Sequence, residues 1–150
     1  MSQANVELQA LAVAAVNAGQ VPEELLALGF WMENHAFSVT DYTYRGTGGW
    51  REWMSDIFEE FAGRARLEIE EIIETTDDFV VARMCVVGTS ARSRTPLSLR
   101  WVGVTWFRDG KLTCIVGYAT RAEALEAARS GPRSGRRGSL TRKLSGCVGE

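Results

Sequence analysis

At 150 residues, 45 % hydrophobic and 24 % charged, the chain has the length and composition of one soluble globular domain with a single sizeable core. No apolar run reaches the ~18 residues that span a bilayer. The widely spaced Cys85, Cys114 and Cys147 form no CxxC or Cys/His cluster. That excludes a disulfide framework and a zinc site and fits a reducing cytoplasm, so no membrane partner and no metal are expected.

The N-terminal segment carries Glu7 and no Lys/Arg-rich start, and reads as a helix rather than a secretory signal. Leu8, Leu11, Ala12 and Ala15 recur at helical spacing, and Asn17-Ala18-Gly19 closes the segment. Pro22-Glu23-Glu24 predicts a second, short helix to about Leu28, because proline and carboxylates suit a first turn. Residues 35–44, rich in aromatic and β-branched types, predict a first strand, and Gly46, Gly48 and Gly49 a loop.

Trp50, Trp53, Met54, Ile57, Phe58 and Phe61 then fall on one helical stripe, opposite Arg51, Glu52, Asp56, Glu59 and Glu60. Such a helix must dock on an apolar surface, and four strands follow it. Leu67 and Ile69 alternate with Glu68 and Glu70, as on a half-exposed strand. Phe79 to Val87 is almost wholly apolar, as on a strand covered on both faces. Asp109-Gly110 joins the runs Leu97–Phe107 and Leu112–Tyr118 and is the pair best suited to a tight hairpin turn. Arg121 to Arg129 predicts a last short helix.

Segregated helices beside antiparallel strands mean α+β. The expected architecture is a cone-shaped α+β barrel: a strongly curved antiparallel sheet wrapped around the Trp50–Phe61 helix, with the N-terminal helices closing a pocket. Residues 1–129 form this domain, and 130–150 read as a disordered Gly/Ser/Arg-rich tail. Five basic residues against Glu150 give the tail a charge of +4 and leave −6 for the rest, and an acidic body argues against nucleic acid as the partner.

VAAVNAGQ (13–20), YRGTGGW (44–50), WFRDGKL (106–112) and YATRAEALEAA (118–128) resemble the SnoaL-like, nuclear transport factor 2-like proteins, in the right order over about residues 5–128. The resemblance implies the same cone and either a pocket enzyme or a non-catalytic binding module, since the fold hosts both. Ketosteroid isomerase in that superfamily has an aspartate base at the end of the first strand, a position that Asp41 resembles; its oxyanion tyrosine and buried acid correspond to Ala12 and Val104. Limonene epoxide hydrolase has an Arg-x-Asp pair, which Arg83-Met84-Cys85 resembles without the carboxylate, and a second aspartate whose place is taken by Gly117. Neither apparatus is complete, so neither of those two reactions is implied.

The candidate catalytic residues are therefore Asp41, as proton acceptor, and Arg83, as its orienter or as the group that binds a carbonyl or anion. His35, Tyr44, Trp50, Cys85, Arg100, Val104 and Trp106 are candidates for contact with a small apolar ligand. Their alternative roles are core packing for the aromatic and apolar ones, a turn aspartate for Asp41 and a structural ion pair for Arg83. Trp101 has opposite strand parity to Trp106 and is expected on an outer sheet face, covered in a homodimer. Without a P-loop, GxGxxG or HExxH, no cofactor is expected.

Overall fold

The computed structural model describes residues 3–36 and 42–132. The elements are α1 (Gln3–Asn17), a 3₁₀ turn (Glu23–Leu25), β1 (Leu26–Asn34), β2 (Tyr44–Arg45), α2 (Gly46–Phe58), β3 (Arg66–Thr75), β4 (Phe79–Thr89), β5 (Pro96–Arg108), β6 (Lys111–Tyr118) and α3 (Arg121–Ser130).

The hairpin forms where Asp-Gly predicts it. Arg108 pairs with Lys111. Asp109 and Gly110 have φ of 54° and 75°, the two left-handed positions that a two-residue turn of this kind needs. Strands β3 to β6 form the expected antiparallel meander. The complete sheet is open and mixed, in the order β2-β1-β6-β5-β4-β3, with β1 parallel to β6. The fold is thus α+β, but the sheet is neither closed nor wholly antiparallel.

The start of β1 also departs from expectation. The predicted helix from Pro22 to Leu28 shrinks to Glu23–Leu25, and the first strand is Leu26–Asn34; of the predicted strand 35–44, residues 37–41 lie outside the described residues. The reason is an irregularity between Leu26 and Trp31, where Gly29 takes φ 83°. A bulge of this kind breaks the two-residue alternation by which a strand is recognised. Beyond it the alternation returns: Phe30 and Met32 join one core cluster, and Trp31 packs against the other.

Two layers of side chains follow from the pleat. Val80, Ala82, Met84, Val86, Trp101 and Phe107 face α1 and α2, where they meet Ala12, Val16, Trp50, Trp53 and Ile57. Val81, Val102, Val104, Trp106, Cys114 and Val116 face α3, where they meet Ala124 and Ala128. This double coverage is why β4 reads as a continuous apolar run. Trp101 is therefore on the α1/α2 side, 6 % exposed, and not on an outer sheet face as expected.

The helices are fixed by local chemistry. In α2 the predicted stripe is the docked face, with Trp50, Trp53 and Ile57 buried. In α3, Thr120 caps the first turn by accepting from the Glu123 N–H at 3.2 Å. In α1 the inward face is Asn5, Gln9, Ala12 and Val16, while Leu11 is 56 % exposed. That polar-apolar face is held by amides. Asn5 Nδ2 donates to the carbonyls of Thr76 and Asp77 at 3.2 and 3.0 Å. The Asn17 side chain bonds the N–H and C=O of Leu67 at 2.8 and 2.9 Å.

Candidate functional site

Helices α1 and α2 meet the sheet around a hollow. Its volume is about 60 Å³; counted out to open solvent, the space between its walls is about 590 Å³. Trp50 and Trp53 come from α2, Trp101 and Met84 from the sheet, and Ala12 and Val16 from α1. The indoles are held by one another and by the core: Trp50 lies 5.6 Å from Phe30 and 6.1 Å from Trp53, ring centre to ring centre. Gly117 closes one wall. A methyl group there would sit 2.8 Å from Asn34 Nδ2 and 3.0 Å from Trp101 Cδ1, so only glycine lets these side chains approach.

The polar groups of the hollow are few. Gln9, Asn34 and Thr105 line it, and Glu33 is the one ionisable residue among the described lining residues. Asn34 Oδ1 accepts from the Ala36 N–H at 2.8 Å. Gln9 Nε2 approaches Met84 Sδ at 3.8 Å, leaving Gln9 Oε1 buried with no hydrogen-bond partner among the described residues. Trp50 Nε1 is buried and unpartnered in the same way. Orphaned buried donors and acceptors are rare in folded proteins and costly to keep.

A second polar group stands at the end of β1. Glu33 is 4 % exposed, and its two carboxylate oxygens contact His35 Nε2 at 3.0 Å and accept from Thr43 Oγ1 at 2.7 Å. The His35 ring packs 5.5 Å from Tyr118, whose hydroxyl is pushed up to about 12 by burial and then by the Glu33 carboxylate. His35 itself borders a separate open depression of about 450 Å³ between Tyr118 and Glu126 of α3.

The described residues among those expected from the sequence do not share one site. Asp41 lies outside the described residues. Trp50 lines the hollow as expected. Arg83 faces away from it and meets Glu71 at 3.4 Å, a carboxylate shared with Arg121 of α3 at 3.1 Å. Arg100 lies on the same outer side and makes a two-pronged bond to Glu70 at 3.2 and 3.3 Å. Val104 and Trp106 are buried under α3. Cys85, adjacent to the inward Met84, points outward, and burial raises its thiol, which keeps it protonated. Tyr44 donates to Asp56 at 2.7 Å, outside the hollow.

One cause explains the displacement of Arg83, Cys85, Arg100, Val104 and Trp106. Strands β4 and β5 are apolar on both faces, so their parity cannot be read from the sequence, and choosing the wrong one moves every side chain across the sheet. The residues missed were Gln9, Glu33, Asn34, Trp101 and Thr105. For Gln9 a signal exists: Asn5, Gln9, Ala12 and Val16 are spaced i, i+4, i+7 and i+11, the interval of a docked face. Among the described residues no group of three His, Cys, Asp or Glu could hold a metal ion, and no helix is long and apolar enough to cross a membrane.

Residues 10–115 match the family model described as a SnoaL-like domain. A comparison with curated proteins found no match. Among solved structures, the chain is similar to a protein described as a SnoaL-like polyketide cyclase from Jannaschia sp. CCS1, with 19 % identity, TM-score 0.63, and coverage of 88 % of this chain and 95 % of that one. A protein with a ketosteroid isomerase-like fold from Catenulispora acidiphila DSM 44928, in complex with trimethylamine, gives 17 % identity, TM-score 0.61 and coverage of 88 % and 100 %. The epoxide hydrolase/cyclase-like enzyme SalBIII, of pyran ring formation in salinomycin, gives 18 %, 0.61, and 80 % and 93 %. At these identities the likeness is one of fold.

Proposed function

The chain belongs to the SnoaL-like domain family, and we propose that it is a pocket protein that binds a small, largely apolar molecule between α1, α2 and the sheet. One observation carries this reading: a hollow walled by Trp50, Trp53 and Trp101 that keeps two polar atoms sealed and unpartnered among the described residues. Arg83 pairs with Glu71 on the opposite face, which favours binding over an Asp41–Arg83 proton-transfer pair. A thermal-shift screen of small apolar compounds tests it, since a ligand of the folded state raises the melting temperature in proportion to RT ln(1 + [L]/Kd). Wild type should be stabilised by at least one compound, and Gly103→Val, which adds bulk to the lining, should not. Equal stabilisation of both proteins, or of neither, would remove the reading.

A second reading rests on Glu33. A buried carboxylate in contact with an imidazole is a unit able to move protons. The protein described as a SnoaL-like polyketide cyclase and the epoxide hydrolase/cyclase-like enzyme share the fold. In this reading the chain performs an isomerase-, cyclase- or hydrolase-type reaction on an apolar substrate, with Glu33–His35 or Asp41 as base and no cofactor. Glu33→Gln and Asp41→Asn separate the two. Lost turnover with retained binding identifies the base, and unchanged turnover in both ends the enzymatic reading. We extend the proposal to a cytoplasmic homodimer that pairs through the sheet face; sedimentation at micromolar concentration tests the pairing, and a monomer alone would remove it.

A further inference from the structure

The two sealed atoms are of opposite kind. Trp50 Nε1 can only donate, and Gln9 Oε1 can only accept. The Trp50 ring is wedged between Phe30 and Trp53. The Gln9 amide has its Nε2 on Met84 Sδ, and a thioether accepts but does not donate, so the carbonyl is the end left unpartnered among the described residues. Among the described residues no arginine or lysine lines the space, and the carboxylate of Glu33, which shares the strand parity of Trp31, is engaged by His35 and Thr43. An anionic guest would lose its hydration against tryptophan and gain no counter-charge.

Building on the pocket reading above, we infer that this hollow selects a neutral, compact, otherwise apolar molecule bearing a hydroxyl group, whose oxygen accepts from Trp50 Nε1 and whose proton goes to Gln9 Oε1. The hollow's volume of about 60 Å³ is several times the ~10–15 Å³ that admits one water, so it takes the hydroxyl-bearing end of the guest. The remainder lies along the indoles toward the open side. A site built to read a hydroxyl discriminates strongly against the analogue without it, because the protein groups are then left bare.

Titration calorimetry on the full chain with phenol, anisole and toluene separates the possibilities. These probes offer the hollow a donor and an acceptor, an acceptor only, and neither. Wild type should bind phenol roughly tenfold more tightly than toluene, with anisole between them. Gln9→Met should bring phenol and anisole together; Trp50→Phe should remove anisole's advantage over toluene. If Trp50→Phe does not fold, as judged by its near-ultraviolet circular dichroism, the Gln9→Met comparison still decides the matter. Equal affinity of wild type for all three probes would overturn the inference and leave the pocket reading standing, with water alone satisfying the two atoms. No binding of any probe would overturn both.

Discussion

Gly117→Ala puts the packing of the hollow under direct strain. The new methyl carbon would lie 2.8 Å from Asn34 Nδ2, 2.9 Å from Asn34 Cγ and 3.0 Å from Trp101 Cδ1. Asn34 cannot retreat freely, because its Oδ1 holds the Ala36 N–H at 2.8 Å. Trp101 is 6 % exposed and packed in the core. Overpacking of this kind costs about 1–3 kcal/mol, and loss of the Asn34–Ala36 bond adds about 1 kcal/mol. For a domain of this size each kcal/mol corresponds to about 2–4 °C in Tm. Urea denaturation of Gly117→Ala, Asn34→Ala and the double variant gives the coupling. Asn34→Ala removes the nearest obstacle, so the double variant should be more stable than the sum of the single changes predicts, by about 1 kcal/mol. Additive effects, or a Gly117→Ala protein within ~0.5 kcal/mol of wild type, would refute the close approach.

Three further outcomes follow from the same structure. Arg83→Ala should leave guest binding unchanged and cost less than ~1 kcal/mol, as for an exposed ion pair; calorimetry showing weakened binding would contradict its placement on the far face. Asn17→Ala leaves the Leu67 N–H and C=O without their side-chain partner and should cost about 2 kcal/mol, with faster hydrogen exchange in α1; an unchanged exchange rate would contradict the role of Asn17 as its fastener. Burial pushes the Cys114 thiol up to about 12, and the Tyr118 hydroxyl rises to about 12 as well. An unfolded chain loses these protons first, near ~8.5 and ~10, so their stabilising contribution is full below pH ~8.5 and drains as pH climbs toward 12. The slope for Cys114 reaches up to ~1.4 kcal/mol per pH unit, and Cys114→Ala should flatten the fall measured by urea denaturation between pH 8.5 and 10. An identical slope in the variant would contradict the shift.

The parts legible in the sequence are those with one dominant local cause. Asp109-Gly110 specifies its turn by backbone angle alone, and the Trp50–Phe61 stripe specifies the docked face of α2 by spacing. What was not legible has equally physical reasons. The Gly29 irregularity hides β1 behind a proline and two glutamates that look like a helix start. The inward face of α1 is half polar, so a hydrophobic stripe points to Leu11 where Gln9 is the buried residue. In β4 and β5 apolar side chains cover both faces, and Arg83, Cys85, Val104 and Trp106, expected in the pocket, have the parity of the α3 side. The hollow is lined by tryptophans and neutral amides, and only the helices packed on each face decide which parity lines it.

The indole N–H signals of the five tryptophans test the central claim most directly. Phenol titrated into ¹⁵N-labelled protein should move the signals of Trp50, Trp53 and Trp101, which line the hollow. Those of Trp31 and Trp106, packed in the α3-side cluster, should stay in place. Movement of Trp31 and Trp106 with Trp50 unmoved would contradict the account.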